Sequence, residues 1–248
     1  MGVSDRPRRR RESTASGRQA SDGDRPVIPL YHDFSGAHVL VFGGGPVGAR
    51  KARRFAREAN VVAVSPAFVD RFDDSALAAV DRIRAAPDPA DAADWVGRVD
   101  PALVVAATDD SALNRAAEEA ARDHGALVNR ADQSGERAVD SVVVPATVRD
   151  GPVSVAVSTG GESPALARYL RQQIETEIAE AGAMAELSGR LRADLKTAGV
   201  APEDRRAAVR SVVRSSSVWK ALHTGTPNPE KEAERVMAAE HDDMEGTR

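Results

Sequence analysis

The chain has 248 residues, 34 basic against 38 acidic side chains, a formal net charge of −4, 42% hydrophobic residues and no cysteine. That is enough apolar material for a packed core, while the missing cysteine excludes disulfides, thiolate metal sites, cysteine-ligated iron–sulfur clusters and a cysteine nucleophile together. The slightly acidic balance argues against a general nucleic-acid binder. No apolar run approaches the length that spans a bilayer, so a cytoplasmic protein with neither nucleic-acid nor membrane partners is expected.

Residues 1–26 hold seven Arg among Ser, Gly and Pro. No apolar segment follows Arg8-Arg9-Arg10-Arg11, so a disordered basic tail is expected rather than a secretory signal. Strands are predicted at 37–42, 61–64, 82–86, 102–107 and 126–128. Helices are predicted at 46–59, from 65 through 77, at 91–96 and at 111–124. Strands alternating with helices give a parallel sheet. Residues 27–132 therefore read as an α/β domain with a Rossmann-like parallel sheet.

After Asn129 the rhythm breaks. Two β-rich runs, 141–147 and 153–158, flank Arg149-Asp150-Gly151-Pro152, which is turn chemistry and predicts a hairpin-like pair. Ser163 followed by Pro164 is a helix start signal, for a helix to about residue 179. Residues 133–183 thus form a small β-containing segment, and 184–248 a C-terminal helical region broken at 199–202. Residues 230–245 carry seven acids against two bases and are expected to be a solvated end.

Gly43-Gly44-Gly45-Pro46-Val47-Gly48 reads as G-x-G-x-x-G after a predicted strand and before a predicted helix. In that context the glycines let the backbone turn tightly and approach a pyrophosphate at the helix N-terminus. A ribose-binding acid is expected at the end of the second strand, but Val64-Ser65-Pro66 stands there, which leaves the holding to Ser65 and main-chain groups. Ala107-Thr108-Asp109-Asp110 and Asn114 follow the fourth strand, at the sheet edge where ligands bind; one of the two acids is expected to cap the next helix. Asn129-Arg130-Ala131-Asp132 follows the fifth strand, and Asp132 reads equally as a general base or a loop residue. Ser158-Thr159-Gly160-Gly161-Glu162-Ser163 leads into a helix carrying Arg168 and Arg171, a seat for a phosphate or carboxylate or an ordinary capped helix.

In this order the four clusters resemble the precorrin-2 dehydrogenase/sirohydrochlorin ferrochelatase family, the first module of siroheme synthases, over about three-fifths of the chain. The opening Ile28-Pro29-Leu30 with Val39 to Lys51, then Ala107-Thr108-Asp109-Asp110 with Asn114, and above all Ser158 to Arg168 match that family's "S-T-G-G-x-S-P-x-L-A-R" and companion motifs. Departures are Gly48 for the common Ala, and Arg130, a charge where the family's "N-V-V-D" has an apolar residue. The resemblance implies NAD-dependent dehydrogenation of precorrin-2 to sirohydrochlorin in siroheme biosynthesis. It places NAD on Gly43, Gly44, Gly45, Pro46, Val47, Gly48, Ser65, Pro66, Thr108 and Asp109. Asp132 becomes the catalytic carboxylate, accepting a macrocycle proton or orienting the ring. Asn129, Thr159, Gly160, Gly161, Ser163 and Arg168 are implied to hold the acidic tetrapyrrole. Some family members also insert ferrous iron, and the five scattered histidines form no metal cage. Family members are commonly homodimers joined through the segment after the Rossmann unit, and the Val-rich runs there need cover. The alternative class is an NAD-sensing regulatory module without catalysis; Ser65 and the Ser158–Ser163 cluster count against it.

Overall fold

A computed structural model describes residues 28–132 and 141–245. The predicted basic tail, 1–26, lies outside them. The chain divides into two compact units at Val142–Val143.

In the first unit five strands form one parallel sheet: β1 (His38–Phe42), β2 (Asn60–Ser65), β3 (Asp81–Arg84), β4 (Leu103–Ala106) and β5 (Leu127–Arg130). Their order is β3-β2-β1-β4-β5, so the direction of winding switches between β1 and β4. Helices α1 (Pro46–Phe55), α2 (Ala92–Val99) and α3 (Ser111–Asp123) connect them. Both faces are covered. Val39 and Val41 of β1 pack into one apolar cluster with Ala49 and Ala52 of α1, while Leu40 and Phe42 pack into another with Val96 of α2 and Ala117 and Ala121 of α3. Strands buried on both sides read as unbroken apolar runs instead of alternating ones, which is why 37–42 and 102–107 stood out in the sequence.

One sequence expectation is corrected in this unit. The stretch before residue 77 is not an α-helix but two short 3-10 turns, Asp70–Asp73 and Ser75–Leu77, with Phe72 and Leu77 plugged into the core. Asp74 between them caps the second turn by accepting from the Ala76 N–H, and its other oxygen takes Arg53 Nη1 at 3.2 Å. Residues 141–142 also pair with the edge of this sheet. Val142 N–H donates to the Val128 carbonyl, Asn129 Nδ2 donates to the Val142 carbonyl at 2.7 Å, and Ser141 bridges to Val128, so this returning segment extends the sheet edge.

The second unit begins with the antiparallel hairpin β6 (Ala146–Asp150) and β7 (Val153–Val157), turning at Gly151-Pro152. Then come α4 (Pro164–Glu177), α5 (Ala181–Thr197), α6 (Pro202–Arg214), α7 (Ser216–Thr224) and α8 (Pro229–Glu245). Met184, Leu187, Leu191, Val212, Val218 and Ala233 form the apolar centre of the last four helices. The expected solvated acidic end is therefore corrected in its first half: Ala233 is fully buried on α8, and Glu232 is buried beside it with both oxygens held by Arg235.

Gly182 locks α5 to the hairpin. Its N–H donates to Asp150 Oδ2 at 2.8 Å, and an added Cβ would lie 2.6 Å from the Asp150 carbonyl oxygen. Gly182→Ala is expected to cost about 1–3 kcal/mol through overpacking. Gly189→Ala, in the same helix but with open space around it, is expected to gain up to about 1 kcal/mol. Thermal unfolding followed by circular dichroism checks both, and equal effects would contradict this packing.

Candidate functional site: a glycine-walled cleft and a clamped carboxylate

The loops that leave β1 and β4 open away from each other at the winding switch, the place where open α/β sheets bind ligands. A cleft of about 560 Å³ lies there, lined by residues 43–47, 64–66, 86–87, 107–110 and Leu113. It brings together Gly43, Gly44, Gly45, Pro46, Val47, Ser65, Pro66, Thr108 and Asp109 from the sequence reading. Ala86 and Pro87, beyond β3, are lining residues that the sequence reading did not single out.

The glycines divide into two kinds. A Cβ on Gly43 would meet the Ala107 carbonyl oxygen at 2.4 Å, one on Gly44 the Ala67 carbonyl oxygen at 2.0 Å, and one on Gly48 the Gly43 carbonyl oxygen at 2.0 Å. These three are demanded by the chain's own packing, and Gly43 also takes a φ of 122°. Gly45 has no atom within 4 Å of its would-be Cβ. What it keeps clear is the cleft itself. Gly48 is not a lining residue; it supports Gly43 from behind.

Gly45 is also the N-cap of α1. It supplies no side-chain cap, Pro46 occupies the first turn, and no acid stands in that turn. The positive end of α1 is thus left uncompensated where it faces the cleft, the electrostatic signature of an anion seat. The N-terminus of α3 is different. Asp110 fills it, accepting from the N–H groups of Ala112 at 2.8 Å and Leu113 at 3.2 Å. That resolves which of the paired acids caps the helix and leaves Asp109 on the cleft wall.

Thr108 is fixed by Asn114, whose side chain is fully buried. Asn114 Oδ1 accepts from Thr108 N–H at 3.1 Å and from Thr108 Oγ1 at 2.7 Å, and its Nδ2 donates to the Thr108 carbonyl at 3.0 Å. Asn114 also favours the ionised form of Asp132, beyond β5. Asp132 in turn is gripped by Arg130, with Nε to Oδ1 at 2.8 Å and Nη2 to Oδ2 at 2.7 Å. The Arg130 guanidinium, with a smaller contribution from Asn114, holds the Asp132 carboxyl below the usual carboxylate range even though partial burial pushes the other way. Arg130 and its further partner Glu118 were not singled out as site residues from the sequence. Glu118 did carry a signal, an acid on the buried face of α3 with Asn114, Ala117 and Ala121.

The remaining expected residues are placed as follows. Asn129 is buried and spends its Nδ2 on the Val142 carbonyl. Thr159, Gly160, Gly161 and Ser163 form the loop before α4 in the second unit. Gly160 and Gly161 take φ of 67° and 98°. Thr159 Oγ1 donates to the Ser163 carbonyl at 3.1 Å and accepts from its N–H, while Ser163 Oγ caps α4 through the Leu166 N–H. Arg168 is exposed on the first turns of α4. His124 is the C-cap of α3, with Nε2 2.8 Å from Asp100. Among the described residues no group of three or more His, Asp or Glu could hold a metal ion, and no helix is long and apolar enough to cross a membrane.

Comparison with known proteins adds to this. Residues 30–146 match the family model described as putative NAD(P)-binding, and residues 150–177 the one described as sirohaem biosynthesis protein central. A precorrin-2 dehydrogenase of Methanosarcina barkeri is 32% identical over 219 residues, covering 85% of this chain and 92% of that protein. A siroheme synthase of Azotobacter vinelandii is 35% identical over 86% of this chain, but over only 44% of its own length; this chain spans under half of that larger protein. The solved structure titled SirC, precorrin-2 dehydrogenase superposes with a TM-score of 0.64 at 19% identity, covering 86% of this chain and all of that one, which shows the same fold. With a cleft shaped for a dinucleotide and a relative matched over nearly its whole length, the chain belongs to the precorrin-2 dehydrogenase family.

Proposed function

We infer that this protein is an oxidoreductase of siroheme biosynthesis that oxidises precorrin-2 to sirohydrochlorin with NAD. The observation that carries the reading is the uncapped N-terminus of α1 opening onto the glycine-walled cleft, joined with the near full-length match to a precorrin-2 dehydrogenase. That match supports an enzyme over the regulatory alternative, as does the absence of an acid at the end of β2.

The residues present fit the cofactor. The space above Gly45 would take the pyrophosphate, with backbone N–H groups of the first turn of α1 and its positive end holding the charge. Ser65 and Pro66 after β2, with Ala86 and Pro87 after β3, would hold the adenosine end, and Thr108 and Asp109 the other. Bound there, NAD supplies the hydride acceptor. The chain's own part is to position the tetrapyrrole and to carry charge. Asp132 is the catalytic carboxylate of this reading, held in place by Arg130. The macrocycle's carboxylates are assigned to the Thr159–Ser163 loop and Arg168; Asn129, buried with its donor spent on the Val142 carbonyl, has only an acceptor left and is not given that role.

We also propose a cytoplasmic homodimer, with the segment after the Rossmann unit as the contact. Helix α4 buries none of its residues within the chain, and Leu166 and Tyr169 on it are 47% and 56% exposed. Val153, Val155 and Val157 of β7 are only half-buried.

Three outcomes are expected. Gly45→Val folds, because nothing opposes its side chain, but fills the anion seat and weakens NAD binding by about tenfold or more, read by calorimetry. Asp132→Asn keeps NAD affinity and loses ~10²–10³ of the rate, read as the absorbance change on anaerobic mixing with precorrin-2 and NAD. Leu166→Glu with Tyr169→Glu shifts sedimentation from dimer to monomer; an unchanged profile assigns the contact elsewhere.

A further inference from the structure

Arg130 is the last residue of β5, and its side chain is only 8% exposed. Burying a guanidinium costs several kcal/mol unless it is fully paired, so its partners are part of the design. Two of its nitrogens serve Asp132 as a fork. The third, Nη1, donates to Glu118 Oε2 at 2.6 Å, and Glu118 is itself only 9% exposed. The other Glu118 oxygen accepts from Arg122 Nη2 at 2.6 Å. The result is a chain of alternating charge, Asp132–Arg130–Glu118–Arg122, running from the loop after β5 to the outer turns of α3.

The two acids and two bases of this chain balance, so what the sharing supplies is geometry: Arg130 cannot turn away from Asp132 without also leaving Glu118, which Arg122 holds from the other side. The surrounding charged groups agree with this arrangement. From β5 comes Arg130; from α3 come Glu118 and Arg122; from the loop after β4 come Asp110, spent on the α3 N-terminus, and Asp109 on the cleft wall.

We propose that Arg130, braced by Glu118, is a positioning residue that clamps Asp132 as an oriented, ionised carboxylate, so that Asp132 enters the dehydrogenation as a fixed negative charge beside the ring and not as its proton acceptor. This rests on the oxidation of precorrin-2 inferred above. In that reaction one macrocycle C–H bond breaks with its electron pair, which forms the new C–H bond on the nicotinamide ring. The positive charge left on the conjugated macrocycle is relieved when one N–H proton departs to water. A carboxylate with both oxygens accepting from a guanidinium is a poor base, but it stabilises the cationic ring at the moment the hydride leaves, where a partly buried charge is worth more than in water. The lowered protonation range of Asp132 is what such a clamp produces.

The test compares wild type with Arg130→Val, the apolar residue type that the family motif carries there. Arg130→Lys serves as a conservative rescue, and the double variant Arg130→Val with Glu118→Gln covers the case in which an under-paired Glu118 impairs folding. Activity is present while Asp132 is ionised and is lost as pH falls through its pKa. Removing the guanidinium raises that pKa, so the acid limb of kcat/KM is expected to move to higher pH. The high-pH plateau of kcat should fall by about tenfold or more as orientation is lost, with KM and NAD affinity unchanged and partial recovery in Arg130→Lys. Carbon-13 NMR titration of the Asp132 carboxyl, in the protein without substrate, should show the same upward shift. A rise in the plateau would overturn the proposal, since a freed and more basic Asp132 would then be the proton acceptor. So would an unmoved acid limb with an unmoved NMR midpoint. No turnover by wild type would instead sink the parent reading and the catalytic half of this one, while the NMR midpoint would still report whether the clamp sets the charge of Asp132.

Discussion

Close backbone packing at the end of β1 is the constraint on which this molecule is built. Three connections are drawn together there: the turn after β1, the segment after β2 and the segment after β4. Gly43 lies against the Ala107 carbonyl, Gly44 against the Ala67 carbonyl and Gly48 against Gly43 itself. Hydrogen bonds fasten the same contacts, from Gly43 N–H to the Val64 carbonyl and from Val69 N–H to the Gly44 carbonyl. A side chain at any of the three would pry a loop away. The cleft is what remains when the backbones are this close and the fourth glycine, Gly45, keeps its outer side empty.

A second constraint is polar and fixes the cleft wall. Asn114 is fully buried, yet both of its polar atoms are used, and their partner is Thr108. Unpaired, such an amide would cost about 1–3 kcal/mol, so the loop after β4 cannot drift from α3 without breaking it. The pair of acids in the same loop divides its labour on similar grounds: Asp110 turns inward to satisfy the α3 N-terminus, and that requirement is what leaves Asp109 on the cleft wall.

How much of this the sequence disclosed follows the range of the forces involved. The glycine turn, the buried strands, the hairpin at Gly151-Pro152 and the Ser163 cap were legible because each leaves its mark in a few consecutive residues, even where the partner is distant, as Ala107 is for Gly43. The 3-10 turns around Phe72 were misread as a helix because Phe72 and Leu77 are placed by the core they plug, not by local propensity. The first half of α8 was misread as solvated because acids outnumber bases seven to two over residues 230–245, while burial is decided by Ala233 meeting Val212 and Val218. Arg130 was legible only as an oddity. Its meaning depends on Glu118, twelve residues earlier on a different element, and the sequence offered just the hint that Glu118 shares a helix face with Asn114, Ala117 and Ala121.

The two helix termini at the cleft show how one fold assigns ligand sites by leaving a few groups unsatisfied. Both α1 and α3 begin at the carboxyl edge of the sheet, and both present free N–H groups and a positive dipole end. On α3 the chain answers those groups itself with Asp110. On α1 the N-cap has no side chain, the next residue has no N–H, and no acid follows in the first turn. An anion that enters the cleft therefore meets one unanswered terminus and one already neutralised, which fixes which side its charge must occupy. The asymmetry comes from one side chain: Asp110 neutralises the α3 terminus, and Gly45 leaves the α1 terminus open to the cleft.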